Sequence, residues 1–142
     1  MSARETWRDD GWCLVCGPEN EHGLHLHFER TSDGACAEGV VPRHLQGFIG
    51  RSHGGIVAAV LDEAMYYAVA LGGRPGVATA EISVRYRRPL PTEVPFRVEA
   101  RCVRLTRRFA TAEAAIRAGG ELVAEATGTF LPVPSDIEIK GE

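Results

Sequence analysis

A chain of 142 residues, with 44% hydrophobic and 25% charged residues, has the size and composition of one soluble globular domain. We therefore predict a single domain over residues 1–142, with about ten N-terminal and about eight C-terminal residues peripheral to it. The net charge of −3 provides no general attraction to nucleic acid or to an anionic membrane, so neither is an expected partner. No basic and apolar leader opens the sequence, and the expected location is the cytoplasm.

The first third of the chain favours two strands joined by a hairpin. Leu24, Leu26 and Phe28 alternate with polar residues, which is the period of a half-buried strand. Asp33-Gly34 follows as a turn signal, and residues 35–41 form the second predicted strand.

The central stretch, residues 52–73, is predicted to form one long buried helix. Apart from Asp62 and Glu63 its body is apolar, rich in alanine and leucine, and free of proline. Ser52 is the predicted N-cap, and Gly72-Gly73 is the predicted stop. The apolar run is shorter than the roughly 20 residues of a membrane span and is interrupted midway by two carboxylates, so we expect a core helix.

After this helix the chain alternates in the manner of four strands. The strand over residues 96–105 changes its apolar phase near Cys102-Val103, which predicts a bulge, and Gly119-Gly120 predicts a tight hairpin turn. The expected fold class is α+β, an antiparallel sheet of roughly five to six strands wrapped around one helix, since small inward residues let a sheet curl closely. The first of these strands has a predicted inward face of Ala78, Ala80, Ile82, Val84 and Tyr86, and a predicted outward face of Thr79, Glu81, Ser83, Arg85 and Arg87.

The start of the central helix is a candidate anion site. His53-Gly54-Gly55 places bare backbone amides at the positive end of the helix dipole, although a plain capped helix start explains the glycines equally well. Asp62 lies nine residues after His53, which is about 13 Å along the helix axis and on the opposite side of the helix. If both serve one site, a second subunit has to supply one of them, as in a two-fold dimer. Otherwise Asp62 and Glu63 lie at a solvated helix edge or pair with Arg85 or Arg87.

The stretch Gln46-Gly47-Phe48, followed by His53-Gly54-Gly55-Ile56 and Leu61-Asp62-Glu63-Ala64, resembles the hotdog-fold acyl-CoA thioesterases. The likeness is greatest to the phenylacetate-pathway branch of the 4-hydroxybenzoyl-CoA thioesterase superfamily. It runs from about Cys13 to Val133 and includes Tyr86-Arg87-Arg88-Pro89. It implies a hydrolase that cleaves acyl-CoA to free acid and coenzyme A, without a cofactor, as a homodimer or a dimer of dimers.

The resemblance also implies roles for five residues. The Gly54 amide polarises the thioester carbonyl, and a single such donor is typically worth about 10²–10³ in rate. Asp62 of the partner subunit acts as general base or as nucleophile. Thr79 stands where relatives hold the hydrolytic water, and His53 orients the glycine turn. Gln46 is the nearest side-chain donor to the thioester, because glycine stands at position 47 where some relatives have Asn or Gln.

Substrate-binding residues are predicted in two groups. Phe48, Met65 and Tyr66 are expected pocket walls for the acyl group, beside Gly55 at the helix start. Arginine suits the phosphates of coenzyme A because its fork donates two bonds to one phosphate. The alternative for any single arginine is an ordinary charged outer face. The arginines expected to meet at one strand end are Arg85, Arg87, Arg88, Arg104, Arg107 and Arg108.

Three other functions remain open. Cys13-x-x-Cys16 is half of a zinc motif, and with His22, His25 and His27 nearby it suggests a zinc-stabilised interaction protein. No second pair of cysteines completes such a site, so no metal is expected. A non-catalytic acyl-CoA binding module on the same fold is the second alternative. A hydratase is the third, but the Asp-His dyad expected of that chemistry is missing.

Overall fold

The computed structural model of the protein describes residues 8–133, so the predicted N-terminal and C-terminal peripheral segments lie largely outside the described residues. Six antiparallel strands form one sheet in the order β1-β2-β4-β5-β6-β3, and a single long helix packs against it. This is the predicted hotdog arrangement. The elements are β1 (Glu29–Arg30), β2 (Gly34–Val40), a 3-10 turn (Arg43–Leu45), α1 (Gly54–Leu71), β3 (Val77–Tyr86), β4 (Pro95–Leu105), β5 (Ala110–Ala118) and β6 (Glu121–Pro132).

The core of the molecule is the buried face of α1 against the concave face of the sheet. Leu61 and Met65 are fully buried there, as is Phe130 of β6. A Cβ atom on Gly128 would lie 3.1 Å from Met65, so the sheet approaches the helix closely at that point. The predicted run of small inward residues is confirmed as buried at Ala110, Ala112, Ala114, Ala124 and Ala126.

The helix begins one residue later than the sequence predicts, and Ser52 is not its cap. His53 is the N-cap, because its side chain accepts from the Gly55 N–H. Ser52 instead donates its backbone N–H to the Leu90 carbonyl, and its hydroxyl is buried without a partner among residues 8–133. At the other end Gly72 is the C-cap, as predicted.

By length and composition alone, α1 would also qualify as a membrane span. Its mean hydropathy is 1.4 over 18 residues, and half of these residues are buried inside the fold. The buried core helix of a globular domain can have the same length and hydropathy, so these two properties are weak evidence for a membrane span.

The first predicted strand is largely wrong. Leu24, Leu26 and Phe28 are buried in alternation, but only Glu29–Arg30 pairs as β1 with β2. The backbone N–H groups of Leu24 and Leu26 donate to the carbonyls of Leu14 and Val15, outside the main sheet. The alternation therefore reports burial correctly without reporting sheet pairing. The predicted hairpin into β2 is confirmed.

Irregularities in the strands decide which residues face the helix. The predicted bulge in β4 is confirmed, because the register shifts between Cys102 and Arg104. An unpredicted bulge in β3 lies between Thr79 and Glu81, and Ala80 is exposed. Because a bulge adds one residue, Thr79 joins the helix-facing side, and its predicted place on the outward face is wrong. The Gly119-Gly120 turn has positive φ at both residues, as the predicted hairpin requires.

Candidate active site

The start of α1 holds one backbone amide free. The Gly55 N–H donates to His53 Nδ1 at 2.9 Å, and the N–H groups of Ile56 and Val57 donate to the His53 carbonyl. Among residues 8–133 the Gly54 N–H has no acceptor. Since Nδ1 accepts a proton here, a neutral His53 ring holds its hydrogen on Nε2. His53 thus fixes the glycine turn while Gly54 keeps its donor available at the positive end of the helix dipole.

Tyr86, at the end of β3, holds Gly54 from the other side. Its hydroxyl donates to the Gly54 carbonyl at 2.7 Å. The sequence places Tyr86 on the correct face of β3, but it gives no signal that this side chain reaches the helix start. Tyr86 is therefore a site residue that sequence reasoning missed.

A cavity of about 690 Å³ opens at this helix start. Its volume lies within the roughly 300–1,000 Å³ of small-molecule sites. Five predicted site residues line it, namely Phe48, His53, Gly54, Arg87 and Arg88. The loop that bears Phe48 presents apolar side chains to solvent, with Phe48 85% exposed and Ile49 93% exposed. Lining residues that were not predicted as site residues are Gly47, Arg51, Ser52, Val57, Tyr86, Pro89 and Leu90.

The predicted cluster of six arginines does not form. Arg87 and Arg88 line the cavity, and their guanidinium groups pair with Glu125 at 2.8 Å and with Glu121 at 3.4 Å, neither of which lines it. Arg85 lines a different cavity, of about 640 Å³, together with residues of β4 and β5. Arg104, Arg107 and Arg108 lie at or near the β4–β5 connection, at the opposite end of the strands. Tyr86, next to Arg87, pairs with Ala124 near the start of β6, whereas Ala110, where β5 begins, pairs with Phe130 near the end of β6.

Asp62 lies away from this cavity in the same chain. Thr79 donates its hydroxyl to Asp62 Oδ1 at 2.6 Å, so β3 holds the carboxylate on the flank of α1. Neither residue lines the cavity at Gly54. Gly54 and Asp62 therefore lie apart in one chain, as the helical spacing predicts.

Three other predicted site residues are engaged elsewhere. Gln46 accepts from the Gly50 N–H at 3.2 Å and so shapes the loop before the helix. Met65 is fully buried in the core, and Tyr66 donates its hydroxyl to the Pro75 carbonyl. None of the three lines the cavity, so the structure of one chain does not bring Met65 and Tyr66 to the predicted acyl wall.

Within residues 8–133 Glu63 does not pair with Arg85 or Arg87, so that alternative is wrong for Glu63. It lies beside two thiols instead, with its Oε1 3.0 Å from Cys16 Sγ and 3.5 Å from Cys13 Sγ. Burial, followed by the charge of Cys13, raises the pKa of the Glu63 carboxyl to about 8. The hydrogen bond from Cys16 lowers the pKa of the Cys13 thiol to about 5, and the same bond with burial raises the pKa of Cys16.

The sequence profile of the thioesterase superfamily matches residues 49–125, more than half of the chain. The chain belongs to the thioesterase superfamily. The matched span includes the helix start, Asp62 and all of β3. A comparison with curated proteins gives no match.

Several solved structures are similar to this chain. One thioesterase superfamily protein is 31% identical with a TM-score of 0.79 over 85% of this chain, which spans only 60% of that protein's length. A mutant of the phenylacetic acid degradation protein PaaI from Thermus thermophilus is 29% identical, with a TM-score of 0.68 over 76% of this chain and 93% of its own. A Streptococcus mutans protein bound to acetyl-CoA shares the fold at 18% identity, with a TM-score of 0.68 over 78% of this chain and 90% of its own.

The cap at His53 leads to a prediction about stability. His53→Ala should lower the free energy of unfolding by about 0.5–2 kcal/mol, because the Gly55 N–H loses its acceptor. His53→Asn should retain most of that stability, since asparagine accepts at the same position. Urea denaturation followed by circular dichroism measures both variants. Equal stability of His53→Ala and the wild type would show that the cap contributes nothing.

Proposed function

We propose that the protein is an acyl-CoA thioesterase that hydrolyses a thioester to a free acid and coenzyme A. The observation that supports this most is the Gly54 N–H, which has no acceptor within residues 8–133 and lies at a cavity of about 690 Å³, in a chain of the thioesterase superfamily. A carbonyl oxygen placed at that amide would be polarised by the donor and by the dipole of α1.

The chemistry needs one water molecule and two proton transfers, one from the water to a base and one to the departing thiolate. Water adds to the thioester carbon, and the negative charge that develops on the carbonyl oxygen is stabilised by the Gly54 N–H. A base takes a proton from the water. The tetrahedral intermediate then expels the coenzyme A thiolate, which is protonated to the free thiol. We propose Asp62 as this base, with Thr79 holding it or the water in position. In the nucleophilic alternative the Asp62 carboxylate attacks the thioester carbon and the coenzyme A thiolate leaves; water then hydrolyses the mixed anhydride, which releases the acid and restores the carboxylate.

The Asp62 of this mechanism comes from a second subunit. In one chain the Asp62–Thr79 pair lies outside the cavity at Gly54, and the helical rise puts Asp62 about 12 Å along the axis from Gly54. Two copies with α1 helices running antiparallel would bring each Asp62 to the other's Gly54 and create two equivalent sites. We therefore propose a homodimer, or a dimer of dimers, as the active form.

Arg87 and Arg88 are the proposed contacts for the phosphates of coenzyme A. Arg87 and Arg88 line the cavity, and their guanidinium groups pair with exposed glutamates, partners that a phosphate can replace at little cost. Acetyl-CoA bound to the Streptococcus mutans protein supports the capacity of this fold for such a ligand. Phe48 at the cavity is the proposed acyl contact, and we propose the cytoplasm as the site of action.

The proposed oxyanion role of Gly54 can be tested by removing its backbone N–H hydrogen without breaking the helix. Gly54→Pro deletes the N–H at the first helical position, where proline is favoured, and His53 has the extended ψ of 136° that precedes proline well. We expect about a 10²–10³-fold loss of kcat on acyl-CoA substrates, measured by thiol release. Gly54→Ala keeps the N–H, and its Cβ would lie an ordinary 3.6 Å from Tyr86, so it should lose less than about tenfold. Equal losses in both variants would contradict an oxyanion role.

Asp62→Asn should lower kcat at least about a hundredfold while the oligomer persists in light scattering, because the amide has no charge to activate water. Glu81→Gln, on the exposed face of β3, is the matched control and should retain activity. Unchanged turnover in Asp62→Asn would remove Asp62 from the mechanism. Binding of acyl-CoA by the wild type without any thiol release would favour the binding-module alternative.

The shared site can be tested by mixing two inactive variants. Subunits of Asp62→Asn and Gly54→Pro, exchanged in equal amounts, form mixed dimers in half of all cases, and each mixed dimer holds one intact composite site. Activity should recover to about a quarter of the wild-type value. If Gly54 and Asp62 of the same chain act together, no mixture recovers activity, and the two-subunit site is refuted.

A further inference from the structure

We propose that Cys13, Cys16 and Glu63 form a metal site, of the kind that takes Zn²⁺, which fastens the N-terminal segment to the middle of α1. The sulfur atoms of the two cysteines and a carboxylate oxygen of Glu63 all lie within 4.8 Å of one another. The sequence suggests only half of this site, because the third ligand comes from the helix 47 residues after Cys16. This proposal is independent of thioester hydrolysis.

The distances fit one tetrahedral ion. Zinc bonds of about 2.3 Å to sulfur and about 2.0–2.2 Å to oxygen place the two ligand atoms about 3.5 Å apart. The Glu63 Oε1 lies 3.5 Å from Cys13 Sγ and 3.0 Å from Cys16 Sγ. The Cys13 distance matches this value, and the Cys16 distance would have to lengthen by about half an ångström. Three such ligands leave a fourth tetrahedral position for water or another ligand.

The N-terminal loop that bears the two cysteines, residues 13–17, directs backbone N–H groups at one sulfur atom. The backbone N–H groups of Val15 and Cys16 point at Cys13 Sγ, at 3.4 and 3.5 Å. The Gly17 N–H donates to the Cys13 carbonyl at 2.9 Å, which closes the turn. A Cβ on Gly17 would come within 2.4–2.6 Å of backbone atoms, so the turn admits glycine alone. Amide donors stabilise a thiolate, which is the form that binds metal.

The surroundings of Glu63 also favour a cation. Its side chain is half-buried, and within residues 8–133 its hydrogen-bonding partners are the two thiols, without an ion pair. A further member of the group is the Tyr67 hydroxyl, which donates to Cys16 Sγ at 3.4 Å and orients it. Two sulfurs and one carboxylate in a half-buried setting suit a divalent ion of borderline softness, since a partly buried carboxylate needs a counter-charge.

The inferred role is structural. The ligands connect the loop that contributes Val15 to the core with the turn of α1 that also bears Asp62. An ion there would restrain the helix about its axis at the residue next to the proposed base. The alternative is a metal-free cluster in which the thiols only donate to the carboxylate, and the experiment distinguishes the two.

The test uses the full chain without a histidine tag, stripped with a chelator and titrated with Co²⁺ as a spectroscopic probe, then with Zn²⁺ in competition. We expect about one ion per chain, a thiolate-to-cobalt charge-transfer band, and displacement by Zn²⁺. Cys16→Ser and Glu63→Gln should each weaken binding at least about tenfold. Cys102→Ser, a half-buried thiol on β4, is the matched control and should bind as the wild type does.

Zinc should also raise the thermal midpoint of the wild type by about 5 °C or more, and chelator should reverse the gain. Circular dichroism of each stripped variant checks that it is folded. The proposal fails if the wild type takes up well under one ion per chain, or if bound cobalt shows no thiolate band. It also fails if folded Cys16→Ser binds as tightly as the control. If a variant does not fold, the cobalt spectrum and stoichiometry of the wild type still decide between the metal site and the metal-free cluster.

Discussion

The structure depends on burying one apolar helix inside a curled sheet. Leu61 and Met65 of α1 are fully buried against strands whose inward residues are mostly alanine and glycine. At Gly128 a Cβ would come within 3.1 Å of Met65, so a larger residue there would have to push the helix outward. Dense packing of this kind fixes the helix in position and rotation. The helix start, Asp62 and Glu63 are all located by that packing.

The body of α1 is buried in the apolar core, whereas its first turn is held by polar hydrogen bonds. His53 accepts from Gly55 with its ring and from Ile56 and Val57 with its carbonyl, while Tyr86 holds the Gly54 carbonyl. These bonds satisfy the neighbouring groups and leave the Gly54 N–H as a donor. A donor that is already aimed needs no reorganisation when an oxyanion develops, which is how such groups lower barriers.

Two adjacent carboxylates on α1 have different surroundings because one residue turns a helix by about 100°. Asp62 faces β3 and accepts from Thr79. Glu63 faces the N-terminal loop and contacts the thiols of Cys13 and Cys16. The helix thus directs a proposed catalytic group and a proposed metal ligand to different sides, although the two residues are neighbours in the chain.

Patterns that depend on neighbouring residues could be predicted from the sequence. The helix body, the Gly119-Gly120 turn and the β4 bulge follow from local periodicity and from the backbone freedom of glycine. The separation of Gly54 from Asp62 follows from the helical rise alone. The motif His53-Gly54-Gly55 with a carboxylate nine residues on also indicated the superfamily.

Only the tertiary structure decided which distant groups meet. The β3 bulge moves Thr79 to the helix side, and no feature of its sequence marks the inserted residue. Tyr86 reaches Gly54 across 32 residues, and Glu63 reaches Cys13 across 50. Such contacts depend on strand register and loop closure, which are fixed by the packing of the whole core. The sequence by itself determined the helix and the reactive side chains that it carries, and the fold determined which residues those side chains contact.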